Sequence, residues 1–161
     1  MMIIGLLMAA LALAQAAPAT SPAPSAPVPP IADYGLAQPA GGAWSYSAIP
    51  DGSEARFTGA SGGVQLALRC ARTVRRVTIS KAAPAASPSL FVWTSGGSRT
   101  LTAPDFDAAA GRLNVQLAAN DPLLDAIAFS RGRIAAGAGA APALVVPTWP
   151  ELARVVEDCR V

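Results

Sequence analysis

Apolar and polar residues alternate along several short segments of the chain, which is typical of strands with one buried face. The clearest case is the segment VQLALRC at 64–70, where every second side chain is apolar and Cys70 shares a face with them, while Arg69 faces the other way. Similar segments lie between turn residues at 44–48, 54–58, 74–80, 90–94, 99–103, 112–117, 133–136 and 143–146. The spacing of strands and turns predicts a mainly antiparallel β domain.

Two other segments repeat apolar residues at helical spacing. Asp121 followed by Pro122 has the pattern of a helix start, and the apolar stripe after it indicates a short helix near 121–129. A longer stripe predicts a C-terminal helix at 149–159, and Thr148 with Glu151 matches a capping box at its start. The predicted fold class is therefore α+β, mainly antiparallel β and sandwich-like, with two helices. The segment 105–111 is expected to be a loop.

The chain contains two cysteines, Cys70 and Cys159, and both fall on predicted inward faces. A bond between them would attach the C-terminal helix to the inner side of the strand at 64–70. It would close a loop of roughly 90 residues, which is worth about 4 kcal/mol when the constraint acts on the unfolded chain. Because the chain also has the features of an exported protein, we predict this disulfide. Two separate buried thiols are the alternative.

The N-terminal region has the pattern of an export signal followed by a linker. Residues 1–16 contain a short apolar run and end in Ala14-Gln15-Ala16, a small-x-small cleavage site, so we predict a signal peptide. No Lys or Arg precedes the apolar run, which departs from the usual pattern of a signal peptide. The alternative is therefore that the segment is not cleaved and remains as a membrane anchor. Residues 17–40 alternate Pro with Ala and Ser, which indicates a disordered or polyproline-like linker ahead of one β-rich domain at 41–161. The expected location is the periplasm or the outside of the cell, with no transmembrane span after cleavage.

Composition narrows the candidate chemistry. The net charge is +2 with few charged residues, which gives no indication of nucleic-acid binding. The chain has no histidine, so the commonest general base and metal ligand is absent from it. The segment 59–63 matches the G-x-S-x-G nucleophile pattern, but it leads into a strand rather than a helix and favours a glycine-rich turn. No catalytic, cofactor-binding or metal-ligating residues are predicted.

Four carboxylates supply the alternative chemistry. Asp105 and Asp107 flank Phe106, and Asp121 and Asp125 are one helical turn apart. Paired acids can hydrolyse glycosidic bonds, and acids with backbone carbonyls can bind calcium. The usual roles of such residues are helix capping and a solvated surface. A carboxylate-based hydrolase of the envelope is therefore the first alternative function.

A run of basic residues supplies the main candidate surface. The segment from Arg69 to Lys81 contains five basic residues and no acidic one. Arg69 and Arg76 are expected on the outer face of neighbouring strands. Guanidinium groups suit phosphate and carboxylate, so Arg69, Arg72 and Arg76 are the candidate surface for an anion or a partner, either an envelope protein or an anionic glycolipid. The alternative is a charged outer face that keeps a sheet soluble.

Three segments resemble a group of small exported alphaproteobacterial proteins of unknown function: 66–70, 121–133 and 147–159. The Leu-x-Leu-Arg-Cys strand with a closing helix that ends in Cys is also similar to invasion-associated locus B proteins and to periplasmic accessory proteins of type VI secretion. The resemblance implies an envelope location, a β-sandwich-like body and the Cys70–Cys159 bridge, and it supplies no catalytic residues. The predicted function is a non-catalytic binding or assembly module of the bacterial cell envelope. A purely structural envelope component is the second alternative.

Overall fold

The computed structural model describes residues 33–102, 104–139 and 141–161, and these form ten strands and two helices. In chain order they are β1 (Gly42–Ile49), β2 (Gly52–Gly59), β3 (Val64–Ala71), β4 (Arg76–Ala82), β5 (Ser89–Thr94), β6 (Gly97–Thr102), β7 (Asp105–Asp107), β8 (Arg112–Ala118), α1 (Pro122–Ala128), β9 (Arg133–Ala138), β10 (Leu144–Pro147) and α2 (Pro150–Asp158). All strand pairs are antiparallel. The predicted α+β class with mainly antiparallel β structure is confirmed.

The described strands form two sheets. One has six strands in the order β1-β2-β3-β4-β8-β7, and the other has four in the order β10-β9-β5-β6. The first four strands of the chain pair consecutively, so the larger sheet begins as a meander. β5 lies between β9 and β6, and its sequence is apolar on both faces because Leu90 and Val92 enter the core while the rings of Phe91 and Trp93 are covered on the other face by Tyr34.

The inner faces of both sheets and the apolar sides of both helices share one core. Strand alternation decides which side chains enter it: Leu66, Leu68 and Cys70 of β3 are buried, whereas Arg69 is exposed. Trp44 closes the core at the edge of the larger sheet. Its ring packs edge-on against Phe57, and its indole N–H donates to the Pro147 carbonyl at 2.7 Å.

The C-terminal helix covers the inner side of the larger sheet and is bonded to it. α2 contacts β1, β2 and β3 and buries Leu152, Val155 and Val156. Directly after the helix, Cys159 forms a disulfide with Cys70, with a Cα–Cα distance of 5.4 Å. Both cysteines are fully buried. The predicted Cys70–Cys159 disulfide is confirmed.

The predicted capping box at the start of α2 is wrong. The N-cap residue is Trp149, and its side chain makes no capping hydrogen bond. The Thr148 hydroxyl instead donates to the Ser130 carbonyl at 2.9 Å, and the Thr148 N–H donates to the Gly132 carbonyl at 3.2 Å. Thr148 therefore ties α2 to the α1–β9 loop and is not free to cap the helix.

Three further segments can be compared with their predictions. The start of α1 is confirmed, because the Asp121 carboxylate accepts from the Leu123 N–H at 2.9 Å. β4 begins at Arg76, two residues later than the alternation suggested, because the chain turns through Arg75. The segment 105–107, expected within a loop, pairs with β8 as the short strand β7.

Residues 33–40 lie against the smaller sheet. The Tyr34 ring packs 5.8 Å from the ring of Phe91 and 5.9 Å from that of Trp93, measured between centroids. The Ala40 N–H donates to the Val145 carbonyl at 2.8 Å. The folded part thus begins before residue 41, the start that the sequence indicated. The predicted signal peptide and the linker up to residue 32 lie outside the described residues. No helix in the described ranges is both long and apolar enough to cross a membrane.

Candidate functional site

The three predicted arginines are exposed on or beside the outer face of the larger sheet. Arg69 lies on β3, Arg72 lies in the β3–β4 turn, and Arg76 is the first residue of β4. In the register of these strands Arg76 is paired with Ala71, which is two residues beyond Arg69 and faces the same side. The expected placement of Arg69 and Arg76 on one face of neighbouring strands is confirmed.

Carboxylates from the preceding hairpin lie beside Arg69 and Arg72. Glu54 of β2 is the cross-strand partner of Arg69. Asp51 accepts hydrogen bonds from the hydroxyl and the backbone N–H of Thr73, at 2.5 and 3.1 Å. These hydrogen bonds lower the pKa of Asp51, and the charges of Arg72 and Arg69 lower it further. The Glu54 carboxylate itself pairs with Arg56 at 2.5 Å. The segment 69–81 contains no acidic residue, but in the fold the negative charge of Asp51 lies near Arg69 and Arg72.

A third carboxylate, Asp158 at the end of α2, also lies near Arg72. Burial opposes the ionisation of Asp158, but the hydrogen bond from the Tyr46 hydroxyl and the nearby polar Ser53 side chain outweigh it. The charges of Arg154 and Arg72 act in the same direction, and the pKa of Asp158 is lowered overall. The Tyr46 hydroxyl donates to Asp158 Oδ2 at 2.7 Å, while the Arg154 guanidinium lies 3.9 Å from the Tyr46 ring centroid. The cluster joins the edge strand β1 to α2.

Tyr46→Phe should lower the free energy of unfolding at neutral pH by about 1–2 kcal/mol, since it removes a hydrogen bond to a charged group. Because the folded-state pKa of Asp158 is lowered, its ionised form favours folding above the ordinary value of 3.8, and this contribution is lost as pH falls through the folded-state pKa. The difference between parent and variant should therefore shrink at about pH 2. Urea unfolding of the parent and the variant at both pH values measures this difference in the free energy of unfolding.

Tyr34→Phe is the matched control for this prediction, because the Tyr34 hydroxyl makes no hydrogen bond to the described residues. It should change the free energy of unfolding little, and equally at both pH values. A Tyr46→Phe loss that is the same at neutral and acid pH would contradict the ionised hydrogen bond.

Basic side chains do come together in a pocket at the start of β4, which we call the cationic pocket. Its polar lining consists of Arg75, Arg76, Asn120 and Arg160, and its cavity volume is about 360 Å³. Val74 and the alanines at the end of β8, Ala118 and Ala119, complete the lining. No acidic residue lines the pocket among the described residues.

Hydrogen bonds fix two of its three guanidinium groups. Arg75 Nη2 donates to the Arg160 carbonyl at 2.6 Å, and the Ala119 N–H donates to the Arg75 carbonyl at 2.9 Å. Arg160 Nε donates to the Ala119 carbonyl at 2.9 Å, and Arg160 Nη1 pairs with Asp125 at 2.7 Å. The exposed Arg76 side chain makes no hydrogen bond or ion pair with the described residues. The pocket thus presents two anchored cations and one free cation.

The backbone of Arg75 is strained at this site. Its φ is 50°, and it is the one non-glycine residue with a positive φ in the described ranges. This left-handed conformation costs roughly 1–2 kcal/mol for a residue with a side chain. Such strain persists where the surrounding structure enforces it, and it is frequent at ligand-binding positions. Here it turns the chain so that Arg75 and Arg76 both reach the pocket.

The four candidate acids mostly have structural partners. Asp121 caps α1 and pairs with Arg99 at 2.6 Å. Asp125 pairs with Arg160, and Asp107 accepts from the Ala110 N–H at 3.0 Å. Asp105 is exposed on β7. In the described ranges no group of three or more His, Cys, Asp or Glu residues could hold a metal ion. The segment 59–63 is a turn between β2 and β3, as predicted.

Sequence reasoning missed Arg160 as a member of the basic site. Its position follows from the disulfide: Cys159 is bonded to Cys70, which pairs with Val77 next to Arg76. The residue after Cys159 must therefore lie close to the start of β4. The predicted bridge contained this signal, but it needed the β3–β4 register to be used.

Comparisons of the chain with protein-family models, with curated proteins and with solved structures found no match.

Proposed function

We propose that this domain is a non-catalytic recognition module of the bacterial cell envelope that binds an anionic group of its partner through the cationic pocket. One observation carries the proposal: three guanidinium groups line one pocket, and no carboxylate lines it among the described residues. Arginine binds oxyanions through planar, charged hydrogen-bond donors, so this lining suits a phosphate or carboxylate ligand.

The proposed location is the periplasm or the outside of the cell. A buried disulfide supports it, because such bonds persist in oxidising compartments and are rare in the cytosol. The apolar run and the small-x-small site at 1–16 support export in the same way. An exported module that displays an anion pocket has envelope proteins and anionic glycolipids within reach.

Affinity capture from an envelope extract tests the proposal, with the oxidised full chain as bait. Arg75→Gln/Arg76→Gln removes two positive charges from the pocket and should abolish capture of the partner, which mass spectrometry identifies. Arg69→Gln/Arg72→Gln is the matched control: it removes the same amount of charge, but from residues that lie outside the pocket lining and near the Asp51 carboxylate. It should retain capture.

Two results would contradict the proposed function. If both variants capture the partner as well as the parent does, the cationic pocket is not the recognition site. If the parent and the pocket variant capture the same set of proteins and lipids, or neither captures any, a purely structural role becomes the better account. Thermal unfolding of all three proteins checks that each variant is folded.

A further inference from the structure

We propose that the ligand of the cationic pocket is a phosphomonoester group, an inference that rests on the proposed function and specifies the chemistry of its partner. The pocket combines an excess of positive charge, anchored donors and enough volume for a phosphate with part of its carrier. The charge and the donors favour a compact dianion over a single carboxylate, and the volume indicates that the anion has a carrier.

The charge of the pocket matches a dianion. Arg75, Arg76 and Arg160 contribute three positive charges, and Asp125, which pairs with Arg160, is the one carboxylate bonded to any of them in the described residues. These four groups together therefore carry an excess of two positive charges. A phosphomonoester carries about −1.5 to −2 at neutral pH, whereas a carboxylate carries a single charge.

The donors of the pocket are arranged before any ligand binds. Arg75 and Arg160 are held by backbone carbonyls and by Asp125, so their remaining N–H groups have little freedom to lose. Arg76 has all five of its N–H donors available, and Asn120 also lines the pocket. Phosphate offers three terminal oxygens that can accept from several donors at once, which a carboxylate with two oxygens cannot equal.

The size of the pocket indicates that the phosphate is attached to something. A volume of about 360 Å³ falls within the range of small-molecule sites, which is roughly 300–1,000 Å³. Val74 and the alanines of the β8 end give the pocket an apolar side against which a sugar or glycerol carrier can pack. The carrier can belong to a soluble ester or to a lipid headgroup.

Isothermal titration calorimetry on the oxidised full chain at low ionic strength tests the inference and separates the two sources. The soluble probes are glucose 1-phosphate and inorganic phosphate, with acetate as the monoanion. The lipid probe is a phosphatidylcholine vesicle with phosphatidic acid, compared with the same vesicle without it. Glucose 1-phosphate should bind saturably and more tightly than acetate if a soluble ester is the source. Binding only to vesicles with phosphatidic acid identifies a lipid headgroup as the source of the same phosphomonoester.

Two single variants locate the site. Arg76→Gln removes a cation whose side chain has no structural partner in the described residues, so it should leave folding intact and weaken binding by about tenfold or more. Arg131→Gln is the control, because Arg131 is equally exposed but lies in the α1–β9 loop, outside the pocket lining. It should leave binding unchanged.

The inference is overturned if neither phosphomonoester probe binds saturably, if acetate binds as tightly as the phosphate probes, or if Arg131→Gln weakens binding as much as Arg76→Gln. The capture experiment keeps this failure distinct from that of the proposed function. If Arg75→Gln/Arg76→Gln abolishes capture while the phosphate probes do not bind, the recognition module stands and its ligand is another anion.

Discussion

Replacing both cysteines, Cys70→Ala with Cys159→Ala, should lower the free energy of unfolding by about 4 kcal/mol. The two residues are 89 positions apart, so the bond removes a large share of the conformations open to the unfolded chain. Single domains have a free energy of unfolding of only about 5–15 kcal/mol, which makes this a large fraction of the total. Chemical unfolding of the oxidised parent and of the variant, followed by tryptophan fluorescence, measures the loss.

The parent protein with its disulfide reduced is the control for this prediction. Alanine removes both the covalent link and two buried sulfur atoms, whereas reduction removes the link alone. If the link carries the effect, the reduced parent and the variant should lose similar amounts of stability. A variant that loses less than about 1 kcal/mol would show that the unfolded chain is not constrained by the bond as expected.

The strands could be predicted from the sequence because their signal is local. In a strand such as β3, the alternation of apolar and polar residues depends on neighbours one and two positions away. It therefore placed Leu66, Leu68 and Cys70 in the core and Arg69 outside. The disulfide could be predicted from the same pattern, because the chain has two cysteines, both were placed on inward faces, and the export features indicated an oxidising compartment.

Features that depend on contacts distant in the sequence were not predicted. Thr148 matches a capping box locally, but its hydroxyl has a partner 18 residues away in the Ser130 carbonyl, which no local pattern shows. β7 is too short for a visible alternation and exists because β8 pairs with it. Tyr34 lies in a proline-containing segment, yet Phe91 and Trp93 give it a surface to cover.

The candidate site was predicted in part for the same reason. The alternation placed Arg69 and Arg76 correctly on one outer face. It could not reveal that Glu54 faces Arg69 across the β2–β3 pair, or that Asp51 lies close enough to Arg72 for their charges to interact. Compensation of charge depends on cross-strand register, and the register is fixed by the whole meander. The pocket therefore lies to one side of the predicted patch and shares only Arg76 with it.

Gly52→Ala should lower the free energy of unfolding by about 3 kcal/mol or more. Gly52 follows the two-residue turn between β1 and β2 with a φ of 147°, a conformation that costs other residues roughly 1–3 kcal/mol. A Cβ atom at this position would also clash with the Cys70 carbonyl oxygen. Because that oxygen belongs to the backbone of a buried central strand, β2 and β3 would have to move apart next to the disulfide.

Gly97→Ala separates the backbone effect from the steric one. Gly97 occupies the equivalent place after the two-residue turn between β5 and β6, with a φ of 137°, but no atom of the described residues lies within 4 Å of its added Cβ. Gly97→Ala should lower the free energy of unfolding only by the cost of the backbone conformation, about 1–2 kcal/mol. Urea unfolding of both variants beside the parent gives the two losses. If they are equal, the close approach of Gly52 to β3 contributes nothing, and the β2–β3 pair is less constrained by the disulfide beside it than the packing indicates.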